Sequence, residues 1–177
     1  MRNVILAAAL LLPLSALAQT AKPPELAPYI HAAAPYGQGT LNKLWIHAYD
    51  AQLWTDAKPW SMDKEYALSL RYGHDFDGGR IADRSIDEMR HDGSLPKEQE
   101  ESYRKQLTAI FPDVKDGDII TALYQPDKGV TFFYNGKACG AITDKQFAKR
   151  FMGIWLSPAT SEPELHGALL SLHSQRD

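Results

Sequence analysis

Six histidines, a single cysteine and a scatter of carboxylates are the groups in this chain that could ligate a metal or attack a substrate, and their spacing argues against both. His31, His47, His74, His91, His166 and His173 are dispersed, and none forms the i, i+4 pair around a glutamate that sets two imidazoles and a base on one helix face. His74, Asp75 and Asp77 put three potential ligands into one short stretch. No distant fourth ligand accompanies them, so the stretch reads as solvated loop, and neither a metal nor any other cofactor is expected. Cys139 sits in an alternating strand pattern and reads as a small buried apolar residue rather than a nucleophile; being alone, it cannot form an intramolecular disulfide. Gly-x-Ser-x-Gly, phosphate-loop and dinucleotide fingerprints are all missing from the sequence, so no catalytic residue is expected from motifs.

Arg71 is the residue whose setting asks for a partner. Flanked by apolar strand residues, it must reach the sheet edge, pair with a carboxylate, or face a cleft where a ligand anion meets its fork of donors. The plainer alternative lays its stem along apolar surface with the head in water. Tyr49, Tyr72, Tyr124 and Tyr134 suit packing with a hydroxyl at the rim. Arg71 and Tyr49 are the ligand-binding candidates.

Charge and composition narrow the function classes. Of 177 residues, 44% are hydrophobic and 23% charged, which fits a globular protein with enough core to do without disulfides or metals. A formal charge of −3 with scattered Lys and Arg gives no footprint for nucleic acid or an anionic membrane. Residues 1–18 carry Arg2, an apolar run from Val4 to Leu14 and Ala16-Leu17-Ala18, the pattern of a secretory signal peptide. The run is too short to span a bilayer, so a mature chain starting near Gln19 in the periplasm or medium is expected.

The elements that must position these residues follow from periodicity. Residues 19–36 are a Pro- and Ala-rich leader expected to pack loosely or not at all, and the domain is expected to run from Gly37 to residue 177. Residues 39–54 read as one long bent strand, or two strands meeting near Asp50. Residues 66–72 alternate cleanly, with Tyr66, Leu68, Leu70 and Tyr72 on one face and Ala67, Ser69 and Arg71 on the other. After Asp77-Gly78-Gly79, Ile81, Ala82, Ser85, Ile86 and Met89 recur at helical spacing, and a second helix carries Tyr103, Leu107, Ile110 and Phe111 before Pro112. Asn135-Gly136 between alternating runs predicts a two-residue hairpin inside a three-stranded meander covering residues 119–142. Thr143 and Asp144 cap a helix bearing Phe147, Phe151, Ile154 and Trp155, and Ser161 with Glu164 suggests a capping box for a last helix burying Leu165, Leu169 and Leu172. Strands, two helices, a meander and two helices in that order predict an α+β fold with helices stacked on an antiparallel sheet.

Several phrases together resemble bacterial chalcone-isomerase-like proteins: YDAQLW from Tyr49, RYGHDFDGGRIADRSIDEM from Arg71, FPDVKDGD from Phe111, and FFYNGKACGAITDKQFAKRFMGIWLSPATSEPEL from Phe132. The resemblance runs from about Gly37 to Leu170 and implies an open-faced β-sandwich, with helices over one face of a large antiparallel sheet and a cleft between them. Its superfamily holds plant chalcone isomerases and noncatalytic relatives that bind fatty acids. The Arg, Thr, Tyr and Asn of the plant enzymes fall here at Gly37, Tyr49, Ile81 and Glu88, so the catalytic set is unmatched. Near the C-terminus His166 stands where the family pattern has Arg. The expectation is an exported protein that binds an apolar or amphipathic, fatty-acid-like small molecule without catalysis; an intramolecular lyase and an assembly protein are the alternatives, and the sequence does not specify an oligomeric state.

Overall fold

The computed structural model describes residues 21–91, 93 and 95–172; the leader proposed for residues 1–18 lies outside them. Six strands form one antiparallel sheet in sequence order: β1 (Gly37–Lys43), β2 (Ile46–Trp54), β3 (Tyr66–Tyr72), β4 (Ile119–Gln125), β5 (Gly129–Tyr134) and β6 (Lys137–Ile142). Helices α1 (Gly78–Met89) and α2 (Lys97–Ile110) are inserted between β3 and β4, and α3 (Lys145–Leu156) and α4 (Pro163–Leu169) follow β6. All four helices bury their apolar stripes in a single core with the face that carries Leu53, Leu68, Leu70 and Phe132. The architecture is the open-faced α+β arrangement that the order of elements predicts.

Local differences have identifiable causes. The first two strands meet at Leu44-Trp45 rather than near Asp50, which pairs mid-strand with Thr40 and Arg71. No glycine, proline or asparagine marks that turn; Leu44 makes it by taking a left-handed φ of 55°. Gly78 and Gly79 belong to the first turn of α1, which Asp77 caps by accepting from the Arg80 N–H at 3.0 Å. A Cβ on Gly78 would collide with the Phe111 carbonyl, so a glycine is needed where α1 meets the end of α2. Ser161 does not cap α4: its hydroxyl donates to Glu88 at 2.6 Å, and the helix opens on Glu162 and Pro163 with no side-chain cap. Leu165 and Leu169 are buried as expected, but Ser171 turns left-handed just after α4 and leaves Leu172 exposed.

Asn135 and Gly136 take φ of 46° and 82° and join β5 to β6 in the expected two-residue turn. A bulge opposite Phe132 and Phe133 leaves Cys139 without a pairing partner in the ladder. The irregularity breaks the alternation that suggested burial, and Cys139 is exposed.

The outer face of the sheet has its own cover. Pro24–Leu26 form a 3₁₀ turn, and Leu26 and Ile30 are buried against Trp54, Ala67, Leu123 and Phe133. Glu25 accepts from the Thr121 hydroxyl at 2.6 Å, and Asp56 accepts the backbone N–H groups of His31 and Ala32. This part of the Pro- and Ala-rich segment is therefore packed rather than loose. Burial of the two aliphatic side chains contributes about 2 kcal/mol each toward holding the strap.

Candidate functional site

The inner sheet face and the helices do not close completely. A cleft of about 590 Å³ remains between β1–β4 and helices α1 and α3. Small residues make the space: Ala122 on β4 and Ser85 on α1 stand where larger side chains would fill it. Its surface is otherwise mostly aliphatic and aromatic, with Leu68, Leu70 and Ile120 from the sheet and Phe111, Phe151 and Ile154 from the helical side. The rings pack edge to face, Phe151 against Phe132 at 5.2 Å and against Trp155 at 5.5 Å.

Tyr49 lines this cleft. Its position on β2 opposite Tyr72 of β3 places both rings on the inner face, 6.0 Å apart and edge to face. The Tyr49 oxygen accepts from the Trp155 indole N–H at 2.9 Å, while its own O–H has no acceptor among the described residues. Burial pushes its pKa well above the usual phenol range, partly offset by the indole bond and reinforced by the Glu162 and Glu88 carboxylates. Tyr49 is thus a neutral phenol with a proton left to donate. The Tyr72 hydroxyl, raised by burial and by Tyr49, also has no partner among the described residues.

Arg71 is placed elsewhere. It shares the outer face with Ala67 and Ser69, is exposed, and donates to the Gly117 carbonyl at 3.4 Å. The β3 alternation that reads it opposite Leu68 and Leu70 is the alternation observed, and the cleft lies on the leucine side. The basic groups that line the cleft are Lys43, Arg80 and Arg84. Lys43 is paired with Glu162, and Arg84 with Glu88, which also accepts from Ser161. Arg80 has no carboxylate partner among the described residues, and it was missed in the sequence because helix α1 shows charge along its whole solvated side. Only the position of the cleft singles it out.

Of the four positions matched to the plant enzymes, Tyr49, Ile81 and Glu88 converge on the cleft. Gly37 does not: the first atom of any side chain there would overlap the Leu169 carbonyl, because β1 packs directly on α4. A side chain there would require α4 to shift away from β1. The carboxylates near His74 are spent on structure, Asp75 on the Lys115 ammonium at 2.9 Å and the Asp116 N–H at 3.0 Å, and Asp77 on the α1 cap. No group of three or more potential metal ligands occurs among the described residues, and none of the described helices is long and apolar enough to cross a membrane.

Comparison with known proteins gives three results. The profile of the chalcone isomerase-like family matches residues 36–171. A Haemophilus influenzae protein described only as uncharacterized is 27% identical over 157 residues, covering 80% of this chain and 75% of that protein. The crystal structure of a fatty-acid binding protein from Arabidopsis thaliana superposes with a TM-score of 0.62 at 10% identity, covering 78% of this chain and 87% of that one. At that identity the superposition speaks to the fold.

Proposed function

The chain belongs to the chalcone isomerase-like family, and on that premise we propose that it holds an apolar or amphipathic, fatty-acid-like molecule in the cleft without converting it. The observation that carries this reading is the cleft itself: about 590 Å³ of aliphatic and aromatic surface, with its charged groups drawn from β1, α1 and the segment before α4. That volume falls within the roughly 300–1,000 Å³ typical of small-molecule sites. The name of the Arabidopsis structure, a fatty-acid binding protein built on the same fold, supports the ligand class.

The polar end of the ligand meets the O–H of Tyr49 and the guanidinium of Arg80, neither of which has an acceptor side chain among the described residues. Arg71 lies on the other side of the sheet and takes no part. Chalcone closure builds enolate charge that needs a fixed cation or donors. The position matched to the enzymes' arginine is Gly37, packed against α4, and the helix positions hold Ile81 and Glu88, an apolar group and an anion. Export, with removal of residues 1–18, is part of the same proposal and would place the ligand outside the cytoplasm.

Mass spectrometry of an organic extract from natively purified protein tests the reading. A copurifying long-chain amphiphile, absent from a heat-denatured control carried through the same purification, is expected. Protein that yields no such molecule, and that closes a hydroxychalcone faster than buffer does, would overturn the proposal in favour of an intramolecular lyase.

A further inference from the structure

We infer that the tip of the β1–β2 hairpin, Leu44-Trp45, is a wedge that seats the protein on a phospholipid bilayer with the cleft mouth turned to the lipid; the inference rests on the binding function proposed above. Trp45 is 97% exposed and Leu44 87%, followed by Ile46 at 43%. Of the other three tryptophans, Trp54 and Trp155 are 1% and 7% exposed and Trp60 is half-buried.

Folding does not explain the residues at the tip. Lys43 pairs with Ile46, leaving a two-residue loop whose first position, Leu44, has φ of 55°. Glycine takes that conformation at no steric cost, and a leucine does not. The chain's other two-residue hairpin uses Asn135-Gly136. At Leu44-Trp45 a less suitable pair is kept that touches no core.

Position and chemistry identify the occupant. Leu41, Lys43 and Ile46 on the same hairpin line the cleft, so whatever holds the tip also holds the mouth. Two projecting side chains are too few for a stable protein interface, which buries on the order of 1,000 Å² or more. An indole with an apolar body and one N–H suits the boundary between acyl chains and headgroups. Of the basic groups at the same cleft, Lys43 and Arg84 are already paired with Glu162 and Glu88, so charge adds little to the contact. Because the chain as a whole is acidic, the contact depends on insertion rather than on charge. An amphiphile leaving the bilayer would then enter the cleft without crossing water.

The test uses phosphatidylcholine vesicles and the double variant Leu44→Asn/Trp45→Ser, whose far-ultraviolet circular dichroism should match wild type. Wild type should sediment with the vesicles and show indole emission quenched by brominated acyl chains. The double variant should partition roughly tenfold less or weaker still, while binding a pyrene-labelled fatty acid in solution as wild type does. Wild type that binds the labelled acid but ignores vesicles overturns the wedge and leaves the binding function intact. Wild type that sediments with vesicles but binds no labelled acid supports the wedge and overturns the binding function. Equal sedimentation of variant and wild type, or a concentration-dependent dimer that only the variant loses, overturns the wedge.

Discussion

Replacing Ala122 by phenylalanine puts a ring on the floor of the cleft and asks whether the cleft is where the ligand sits. Ala122 lies on β4 between Leu68 and Phe132 on the inner face, is 5% exposed, and borders the empty volume. A ring there displaces about four methylenes of a bound chain, and at about 0.8 kcal/mol per methylene the loss is about 3 kcal/mol. That corresponds to a Kd raised by about 200-fold. Leucine at the same position should displace about half as much and raise Kd by about tenfold, so the two variants form a graded series. Because the added carbons enter space already present, thermal midpoints should stay near wild type or rise. Displacement of a pyrene-labelled fatty acid reads the affinity. Unchanged affinity in a folded Ala122→Phe protein would refute the placement of the ligand, and equal losses in both variants would refute the volume argument.

Arg80→Ala should weaken a long-chain carboxylate about tenfold and spare the corresponding alcohol, whereas Arg71→Ala should change neither; calorimetric titration giving the reverse would put the anion on the outer face. Gly136→Ala should cost about 1 kcal/mol from its φ of 82° alone, since the new Cβ finds ordinary contacts with Glu25 3.6 Å away. Gly129→Ala, at φ of 85° and with its Cβ against the Ile142 carbonyl, should cost on the order of 3 kcal/mol, and equal urea midpoints for the two would contradict this. Asp118 is held below the usual carboxylate range by Asn135, the Lys115 N–H and the Tyr134 hydroxyl. Its contribution is complete above the unfolded pKa and disappears as pH falls through the lowered folded value, so urea midpoints should drop below about pH 4, and less in Asp118→Asn. Edman sequencing of material from the periplasm or medium should begin at Gln19; full-length chain confined to the cytoplasm would argue against export.

Elements whose signal is local could be read from the sequence. Tyr66–Tyr72 alternates because its two faces meet different surroundings, and Asn135-Gly136 marks a turn because both positions need positive φ. The β1–β2 turn was misplaced because nothing in Leu44-Trp45 favours a turn locally; pairing of the flanking strands imposes it. The capping hydroxyl of Ser161 was drawn away by Glu88, 73 positions distant in the chain, and no window along the sequence contains that partner. The candidate site divides in the same way. Tyr49 faces the cleft because strand register sets its direction, whereas Arg80 gains meaning only once α1 has a cleft beside it. For Arg71 the alternation already places the guanidinium on the face opposite Leu68 and Leu70, away from the cleft.

The strap of Leu26 and Ile30 crosses the sheet on the side away from the cleft. A fusion, dye or surface tether joined ahead of Lys22 therefore starts behind the sheet, with a full layer of protein between it and the cleft. Attachment at that end is the natural choice for immobilising the molecule with its cleft unobstructed. Near the other end of the described chain, α4 packs on β1 and the Ser171 hydroxyl donates to the Tyr36 carbonyl at 2.8 Å.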